Sequence, residues 1–406
     1  MTTAAPPTTP FALRGTLVLP TTVVDDGVVV VDGDRFVWAG PADGAPAELA
    51  PSVAAAATVG TILPGLVDLH CHGGGGASFP DALDGPTALR GVAEHRAHGT
   101  TTLVASLVTA DPQTLVDRTA LLAELAQAGE VDGIHLEGPF LSRARCGAQN
   151  PALMTAGDAE LVREVARAGR GFLATMTIAP EVAGVLGRGG VLEALVESGA
   201  LPSIGHTDAS AEVVEQALGA AWSALRAPGA RSRRPTATHL FNGMRPLHHR
   251  DPGPVAACLA AAARGQAVVE LVADGVHLAP ETVRAVFDLV GPGAIALVTD
   301  AMAATGMPDG TYELGPVHVR VSGGVARLAD GDAIAGGTAH LLDVVRSVVA
   351  AGVPLVDAVL AASGTPAAVL GRDDVGALAT GRRADLVVVD GDLRPQRVLR
   401  AGRWVV

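Results

Sequence analysis

The stretch Pro64-Gly-Leu-Val-Asp-Leu-His-Cys-His-Gly73 places two histidines at the end of a short apolar segment. The length and apolar side chains of Leu66–His70 predict a buried β-strand. Alternate residues of an extended segment point the same way, so His70 and His72 can both reach one ion. This stretch therefore predicts one edge of a metal site at the end of a buried strand.

Seven further apolar strands follow at intervals, and segments with helical periodicity separate most of them. The eight strands are predicted at Leu66–His70, Thr102–Val108, Gly133–Glu137, Leu173–Ile178, Pro202–His206, Ala237–Leu240, Val268–Val272 and Ile295–Asp300. Helical spacing appears, for example, over Thr114–Gln127 and Glu281–Leu289. Strands that alternate with helices in this way are typical of an α/β protein with a TIM-like (β/α)8 barrel. The pattern alone leaves a doubly wound open sheet as the alternative.

The two ends of the chain have a different pattern, with short strands interrupted by Gly and Asp. Residues 11–60, Ala384–Val389 and Val398–Val406 are of this kind. We expect both ends to pair into one small β-sandwich domain, with the barrel inserted between them. The predicted division is 1–61 and 373–406 for the small domain, and 62–372 for the barrel.

Composition narrows the class of protein. Apolar residues make up 49% of the 406, mostly as Ala, Val and Leu, which suits parallel strands buried under helices. A net charge of −13 argues against a nucleic-acid surface, which needs a basic stripe. The three cysteines have no paired spacing, which suits a reducing compartment. We see neither a signal peptide nor an apolar run long enough for a bilayer, so we expect a cytoplasmic protein with no membrane partner.

Acids and imidazoles fall at the ends of the predicted strands. Five different strands end in such a residue, and they are His70, Glu137, His206, His239 and Asp300. In a barrel these strand ends converge on the face that carries the active site. One such residue alone would more often be structural, but the joint placement predicts a metal centre. Mixed nitrogen and oxygen ligands suit zinc first, and iron or manganese next.

The absence of lysine constrains how two ions could be bridged. Many two-metal barrel hydrolases bridge their ions with a carboxylated lysine, and this chain contains no Lys. A carboxylate must bridge instead, and Glu137 is the natural candidate. The candidate ligands suffice for one or two divalent ions per subunit, and two ions can share and activate a water molecule.

Further motifs occur in order along almost the whole chain. They are His135-Leu-Glu-Gly-Pro-Phe140, Gly205-His-Thr-Asp208, Thr238-His-Leu-Phe-Asn-Gly-Met244, Asp274-Gly-Val-His277, Thr299-Asp-Ala-Met302 and the tail Gly376–Asp390. Together with the opening His-x-His motif, they resemble the N-acetylglucosamine-6-phosphate deacetylases of the amidohydrolase superfamily. The resemblance implies metal-dependent hydrolysis of the N-acetyl group of N-acetylglucosamine 6-phosphate to glucosamine 6-phosphate and acetate, in amino-sugar catabolism and cell-wall recycling.

The resemblance also implies a role for the catalytic and metal-binding residues. Glu137, His206 and His239 match the main metal ligands, whereas His70 and His72 match members that bind a second ion. Asp300, which is also a candidate ligand, matches the catalytic acid and base. It would take a proton from the attacking water and pass it to the departing amine.

Substrate contacts are implied in the same way. Asn242 and Gly243 match a loop that holds the phosphate, and Arg250 and His277 match phosphate contacts from the neighbouring subunit of a homodimer. Gln149 stands where the family usually has a histidine. Its amide can donate to the acetyl carbonyl but carries no charge, so we expect a second metal to take over the polarisation.

The sequence also allows two other functions, and it contains histidines to which no catalytic role is assigned. Another amide hydrolase acting on a different small N-acyl substrate, or a non-catalytic barrel scaffold, would share the fold. We expect His95 and His98 on a helix surface. His135 is a candidate for support of the ligands as much as for ligation. The segment Tyr312–Leu328 resembles a hairpin remote from the motifs.

Overall fold

The computed structural model describes residues 10–405 and contains a barrel of eight parallel strands. The strands follow one another around the sheet in chain order, and their bounds are Leu66–Cys71, Thr100–Leu107, Gly133–Glu137, Leu173–Ile178, Leu201–Ile204, Thr236–Ala237, Val268–Leu271 and Ile295–Leu297. Every residue in these strands is buried. This is expected of parallel strands covered on both faces, and it explains why their sequences are continuous apolar runs.

Backbone contacts between the first and eighth strands close the barrel. The amide of Asp300 donates to the carbonyl of His70 at 2.9 Å, and the amide of His72 donates to the carbonyl of Ala301 at 2.7 Å. The Thr299 hydroxyl donates to the buried Asp68 carboxylate at 2.6 Å. These bonds confirm the predicted (β/α)8 barrel over the open sheet, and they bring the His-x-His motif beside Asp300.

Helices cover the barrel, and several begin at predictable capping residues. Their bounds are Gly85–Ala97, Pro112–Gln127, Ala159–Ala168, Val191–Glu197, Ala211–Ala224, Gly253–Ala263, Pro280–Val290, Leu341–Ala350, Leu355–Ala361 and Gly364–Val369. Asp84, Asp111, Asp158 and Ser210 each accept a backbone N–H of the following helix through the side chain. Such caps satisfy donors that have no partner within the helix.

Both chain ends build one small β domain, as predicted. Its seven strands are joined in a single sheet rather than two, in the spatial order Arg403–Trp404, Pro395–Arg400, Leu386–Val389, Ala57–Pro64, Phe11–Val18, Val23–Asp32 and Arg35–Pro41. The strand Leu386–Val389 pairs antiparallel with Ala57–Pro64, so the C-terminal part completes a sheet begun at the N-terminal end. A short helix, Ala50–Ala54, lies between the third and fourth strands in sequence.

Two smaller sheets follow the first and eighth barrel strands. Gly73–Gly74 pairs with Ala77–Ser78, directly after the His-x-His motif. The predicted hairpin is a three-stranded sheet with strands Gly310–Leu314, Val317–Ser322 and Val325–Leu328. The chain then returns to the barrel, where the amide of Gly337 donates to the carbonyl of Asp300 at 2.6 Å. Between residues 10 and 405, no helix has the length and apolar character needed to cross a membrane.

Candidate active site

Four imidazoles and two carboxylates meet where the barrel strands end. They form two groups that share Glu137, and within each group the ligand atoms lie within 4.8 Å of one another. The first group is His70, His72, Glu137 and Asp300, and the second is Glu137, His206 and His239. The structure thus brings together all six residues that the sequence singled out as candidate metal ligands.

Glu137 faces both histidine pairs, one with each carboxylate oxygen. Its Oε1 lies 2.8 Å from Nε2 of His206 and 2.8 Å from Nε2 of His239. Its Oε2 lies 3.1 Å from Nε2 of His72 and 3.8 Å from Nε2 of His70. One carboxylate placed in this way can contribute an oxygen to each of two neighbouring ions.

The hydrogen bonds of the outer ring nitrogens indicate which imidazole atoms are free to bind a cation. Nδ1 of His206 donates to the carbonyl of Arg145 at 2.8 Å, so in the neutral ring its Nε2 carries a lone pair. That lone pair faces Oε1 of Glu137, which is also an acceptor. Nδ1 of His70 lies 3.3 Å from Oε2 of Glu270, which orients its Nε2 inward in the same way. Opposed lone pairs at these distances fit a cation between them.

The electrostatics of the site favour positive charge. Burial alone would lower the pKa of His70, but Asp300 and Glu137 raise it well above its ordinary value. Burial would raise the pKa of Glu137, yet the surrounding histidines hold it well below the usual range. The carboxylates are therefore ionised, and nitrogen and oxygen donors of this kind suit zinc, iron or manganese.

Three of the candidate ligands have strained backbones. The φ angles are 45° at His206, 25° at His239 and 48° at Asp300. Residues with a side chain rarely adopt positive φ, and such strain concentrates at functional sites where the surrounding fold enforces it.

Buried polar residues that the motifs did not single out support the ligands. Oε2 of Glu270 accepts from the amide of His239 at 3.3 Å, besides facing His70. A lone Glu inside the apolar strand Val268–Leu271 is the sequence signal that could have identified it. His135 lies between the hydroxyls of Ser106 and Thr177, at 3.0 and 2.8 Å. It stands outside both groups of candidate ligands.

The expectation that His95 lies on the surface is wrong. Its side chain is fully buried, because the inner face of helix Gly85–Ala97 packs on the ribbon that follows the His-x-His motif. Nε2 of His95 lies 2.8 Å from the carbonyl of Gly73 and 3.3 Å from Sγ of Cys71. Burial lowers the pKa of His95 to about 4, so its ring is neutral and supports the backbone next to His72.

A cavity of about 380 Å3 opens beside the two groups. Its lining includes His72, Glu137, Gln149, His206, His239, Asn242, Gly243, His277 and Asp300. Gly243 has a φ of 60°, and a Cβ there would approach Nδ1 of His206 to 2.8 Å, so glycine is required.

The two candidate phosphate contacts from the neighbouring subunit are placed differently. His277 lines the cavity of its own chain, with Nδ1 at 2.9 Å from Oδ2 of Asp274. Arg250 is exposed on a loop, its guanidinium 2.7 Å from Nε2 of His249, and it is not part of the cavity lining. Of these two residues, therefore, only His277 can contact a ligand in the cavity of its own subunit.

The three-stranded sheet, which is remote in sequence from the motifs, and the segment that follows it form the outer wall of the cavity. Leu314, Arg327, Asp332 and Ile334 line it. Nη1 of Arg327 donates to the backbone carbonyl of Asp332 at 2.6 Å, and its other N–H groups face no carboxylate within the described residues. No motif marked these residues, because their position depends on the return of the chain to Asp300.

Comparisons with known proteins agree with this geometry. Residues 61–405 match the model of the amidohydrolase family. The chain is 33% identical over 348 residues to the N-acetylglucosamine-6-phosphate deacetylase of Bacillus subtilis (strain 168), covering 82% of this chain and 81% of that one. It is also 33% identical to the N-acetylgalactosamine-6-phosphate deacetylase of Escherichia coli O157:H7, covering 84% and 87%.

A solved structure is more similar still. A mutant N-acetyl-D-glucosamine-6-phosphate deacetylase from Mycobacterium smegmatis, in complex with N-acetyl-D-glucosamine-6-phosphate, is 43% identical with a TM-score of 0.88. The match covers 98% of this chain and 100% of the other.

Proposed function

The chain belongs to the amidohydrolase family, and from that premise we propose that it hydrolyses the N-acetyl group of N-acetylglucosamine 6-phosphate to glucosamine 6-phosphate and acetate. The observation that carries the proposal is the cavity, which combines the candidate metal ligands with the Asn242–Gly243 loop and His277. Relatives at 33% and 43% identity over most of the chain are deacetylases of this sugar phosphate. A non-catalytic scaffold would have no need of the strained Asp300 beside two histidines.

The enzyme is metal-dependent, and we propose zinc as the resident ion. Glu137, His206 and His239 would hold one ion, and His70, His72 and Asp300 would hold a second with the other oxygen of Glu137. A bound divalent cation lowers the pKa of water and polarises the amide carbonyl. Since the chain has no lysine, Glu137 is the residue that would contribute to both positions.

Asp300 moves the protons. Its Oδ1 lies 3.3 Å from Nε2 of His70 and of His72. Burial would raise its pKa, but these histidines lower it below the usual range, so Asp300 is an ionised base. It takes a proton from the water that attacks the acetyl carbon. It then returns that proton to the nitrogen, so that glucosamine 6-phosphate leaves as an amine while acetate keeps the new oxygen.

The sugar phosphate is held by the loop after the sixth barrel strand. The side-chain amide of Asn242 and the backbone N–H of Gly243 are donors for phosphate oxygens, and His277 completes the set on the cavity wall. We propose that Arg250 reaches the phosphate of the partner subunit in a homodimer.

Mixing two variants that are impaired in different ways tests the shared site. Arg250→Ala should mainly raise KM and Asp300→Asn should mainly abolish kcat. If Arg250 acts across the interface, a heterodimer of the two variants regains one intact site, and co-refolded mixtures recover activity at low substrate concentration. Mixtures no more active than the Arg250→Ala dimer alone would place Arg250 outside the partner's site.

The reaction is tested by acetate release from N-acetylglucosamine 6-phosphate and from unphosphorylated N-acetylglucosamine, each with and without a chelator. We expect rapid release from the phosphorylated sugar only, abolished by the chelator. Absence of release from both sugars by the zinc-loaded enzyme would refute the proposed substrate and leave a metal-dependent hydrolase of another amide.

A second substrate is N-acetylgalactosamine 6-phosphate, which differs at one hydroxyl configuration. We include it because the Escherichia coli O157:H7 deacetylase of that sugar is 33% identical to this chain, whereas the 43% identical Mycobacterium smegmatis enzyme favours the gluco sugar. The same acetate assay, run with both sugar phosphates, compares their kcat/KM values directly.

A further inference from the structure

Gln149 belongs to a closed network of buried hydrogen bonds around Glu137. The backbone amide of Thr109 donates to Oε1 of Gln149 at 2.8 Å. Nε2 of Gln149 donates to Oε2 of Glu137 at 2.6 Å. The Thr109 hydroxyl donates to the backbone carbonyl of Glu137 at 3.0 Å, which closes the ring. All three residues are buried, and Gln149 is only 7% exposed.

This network fixes the orientation of the Gln149 amide. A backbone N–H can only donate, so the atom that meets the Thr109 amide must be the carbonyl oxygen of Gln149. The NH2 group therefore faces Glu137. One of its two N–H donors is thus engaged by a carboxylate, and charge-assisted bonds of this length are among the stronger hydrogen bonds in proteins.

The bond determines how the Glu137 carboxylate is rotated. Turning the carboxylate would break the contact with Gln149 and would move Oε1 away from His206 and His239, both 2.8 Å distant. Gln149 is also uncharged. It leaves the negative charge of Glu137 available to cations.

We propose that Gln149 is a positioning residue for Glu137, which keeps one carboxylate oxygen toward each histidine pair. The inference rests on the proposed function, because it assigns Glu137 to the metal centre. It differs from the role that the sequence resemblance implied for Gln149.

Metal affinity tests this inference without substrate. Gln149→Leu keeps the size but removes the donor, and Gln149→His restores a ring N–H. Asn150→Ala is the matched control, because Asn150 lies in the same loop and, among residues 10–405, its side chain bonds only the nearby amide of Ala152. Zinc affinity is measured for each holoenzyme by competition with a chromophoric chelator. Metal content per chain and thermal melting of the apo forms are measured alongside.

We expect Gln149→Leu to weaken zinc binding about 10- to 100-fold, the usual effect of losing a hydrogen-bond partner of a metal ligand. Gln149→His should recover most of that loss, and Asn150→Ala should bind zinc like the natural protein. A Gln149→Leu enzyme with unchanged zinc affinity and a reduced kcat would overturn the inference and return Gln149 to the substrate. If Gln149→Leu does not fold, equal zinc affinity of Gln149→His and a Gln149→Met variant would overturn it too.

The outcomes separate this inference from the proposed function. Weakened zinc binding in Gln149→Leu, together with no acetate release by the natural enzyme, would keep the positioning role and reject the substrate. Acetate release by the natural enzyme, together with unchanged zinc affinity in Gln149→Leu, would keep the substrate and reject the positioning role.

Discussion

Two buried threonines of the barrel allow the same substitution to be tested with and without a hydrogen bond to the hydroxyl. The Thr299 hydroxyl donates to the Asp68 carboxylate at 2.6 Å and accepts from the amide of Ala301 at 3.1 Å. The Thr236 hydroxyl is equally buried but has no hydrogen-bond partner within the part of the chain that the structure describes. Valine has nearly the shape of threonine, so Thr→Val at each site removes the hydroxyl with little change in packing.

The two substitutions should change the free energy of unfolding differently. At Thr299 the change removes a bond to a buried carboxylate and leaves the Ala301 amide unsatisfied, for a total loss of about 2–4 kcal/mol of unfolding free energy. At Thr236 no bond is lost and an uncompensated buried hydroxyl is removed, so stability should stay equal or rise by up to about 1 kcal/mol. Thr299→Val should therefore be the less stable variant by at least about 2 kcal/mol.

Urea unfolding followed by circular dichroism measures this difference. A chelator is kept in every sample, so that binding of metal to the folded state does not enter the comparison. Unfolding free energies of Thr299→Val and Thr236→Val within about 0.5 kcal/mol of each other would refute the reasoning, because substitutions with no structural consequence have effects of that size. The bond between Thr299 and Asp68 would then contribute little to barrel closure.

Three further outcomes are expected. Asp300→Asn should lower kcat by about 10²- to 10⁴-fold while an ion remains bound, and loss of all metal would contradict its assignment as acid and base. Arg327 lines the cavity, and Arg327→Ala should raise KM for N-acetylglucosamine 6-phosphate about tenfold, the value of one charge-assisted bond; an unchanged KM would exclude a contact with the substrate. Burial raises the pKa of Cys258 to about 12 and that of Cys71 well above its ordinary value. A disulfide reagent should therefore label only Cys146 rapidly in the native enzyme, and fast reaction of a second thiol would show that the core opens.

The barrel could be predicted from the sequence because its strands are fully buried. Parallel strands covered on both faces need continuous apolar runs, and such runs stand out between amphipathic helices. Leu173–Ile178 and Gly133–Glu137 have the same bounds in the structure as in the prediction. The sixth strand is Thr236–Ala237 in the structure, whereas the sequence predicts it further along the chain, at Ala237–Leu240. The apolar run misleads here because the polypeptide turns at the strained His239 before the run ends.

The part of the site that could be predicted from the sequence consists of residues marked by a motif or by the end of a predicted strand. His70 and His72 are two residues apart on one strand, and their common direction follows from strand geometry. The contact of Gln149 with Glu137 depends on how a loop folds over the barrel, which no periodicity determines. Arg327 reaches the cavity because the chain returns from the three-stranded sheet to Asp300, and that return is a long-range property of the fold.

The small sheet built from both chain ends has a consequence for synthesis of the protein. Strand Ala57–Pro64 leaves the ribosome early, and its antiparallel neighbour Leu386–Val389 emerges only after the whole barrel has been translated. Until then one edge of the sheet is open, with apolar Ile62 and Leu63 beside it, and exposed edges of this kind pair with other chains. A chain truncated shortly before Leu386 would contain every residue of the candidate metal centre but would leave the edge of strand Ala57–Pro64 unpaired. We therefore expect premature termination near the end of the message to cause aggregation of a chain whose catalytic residues are intact.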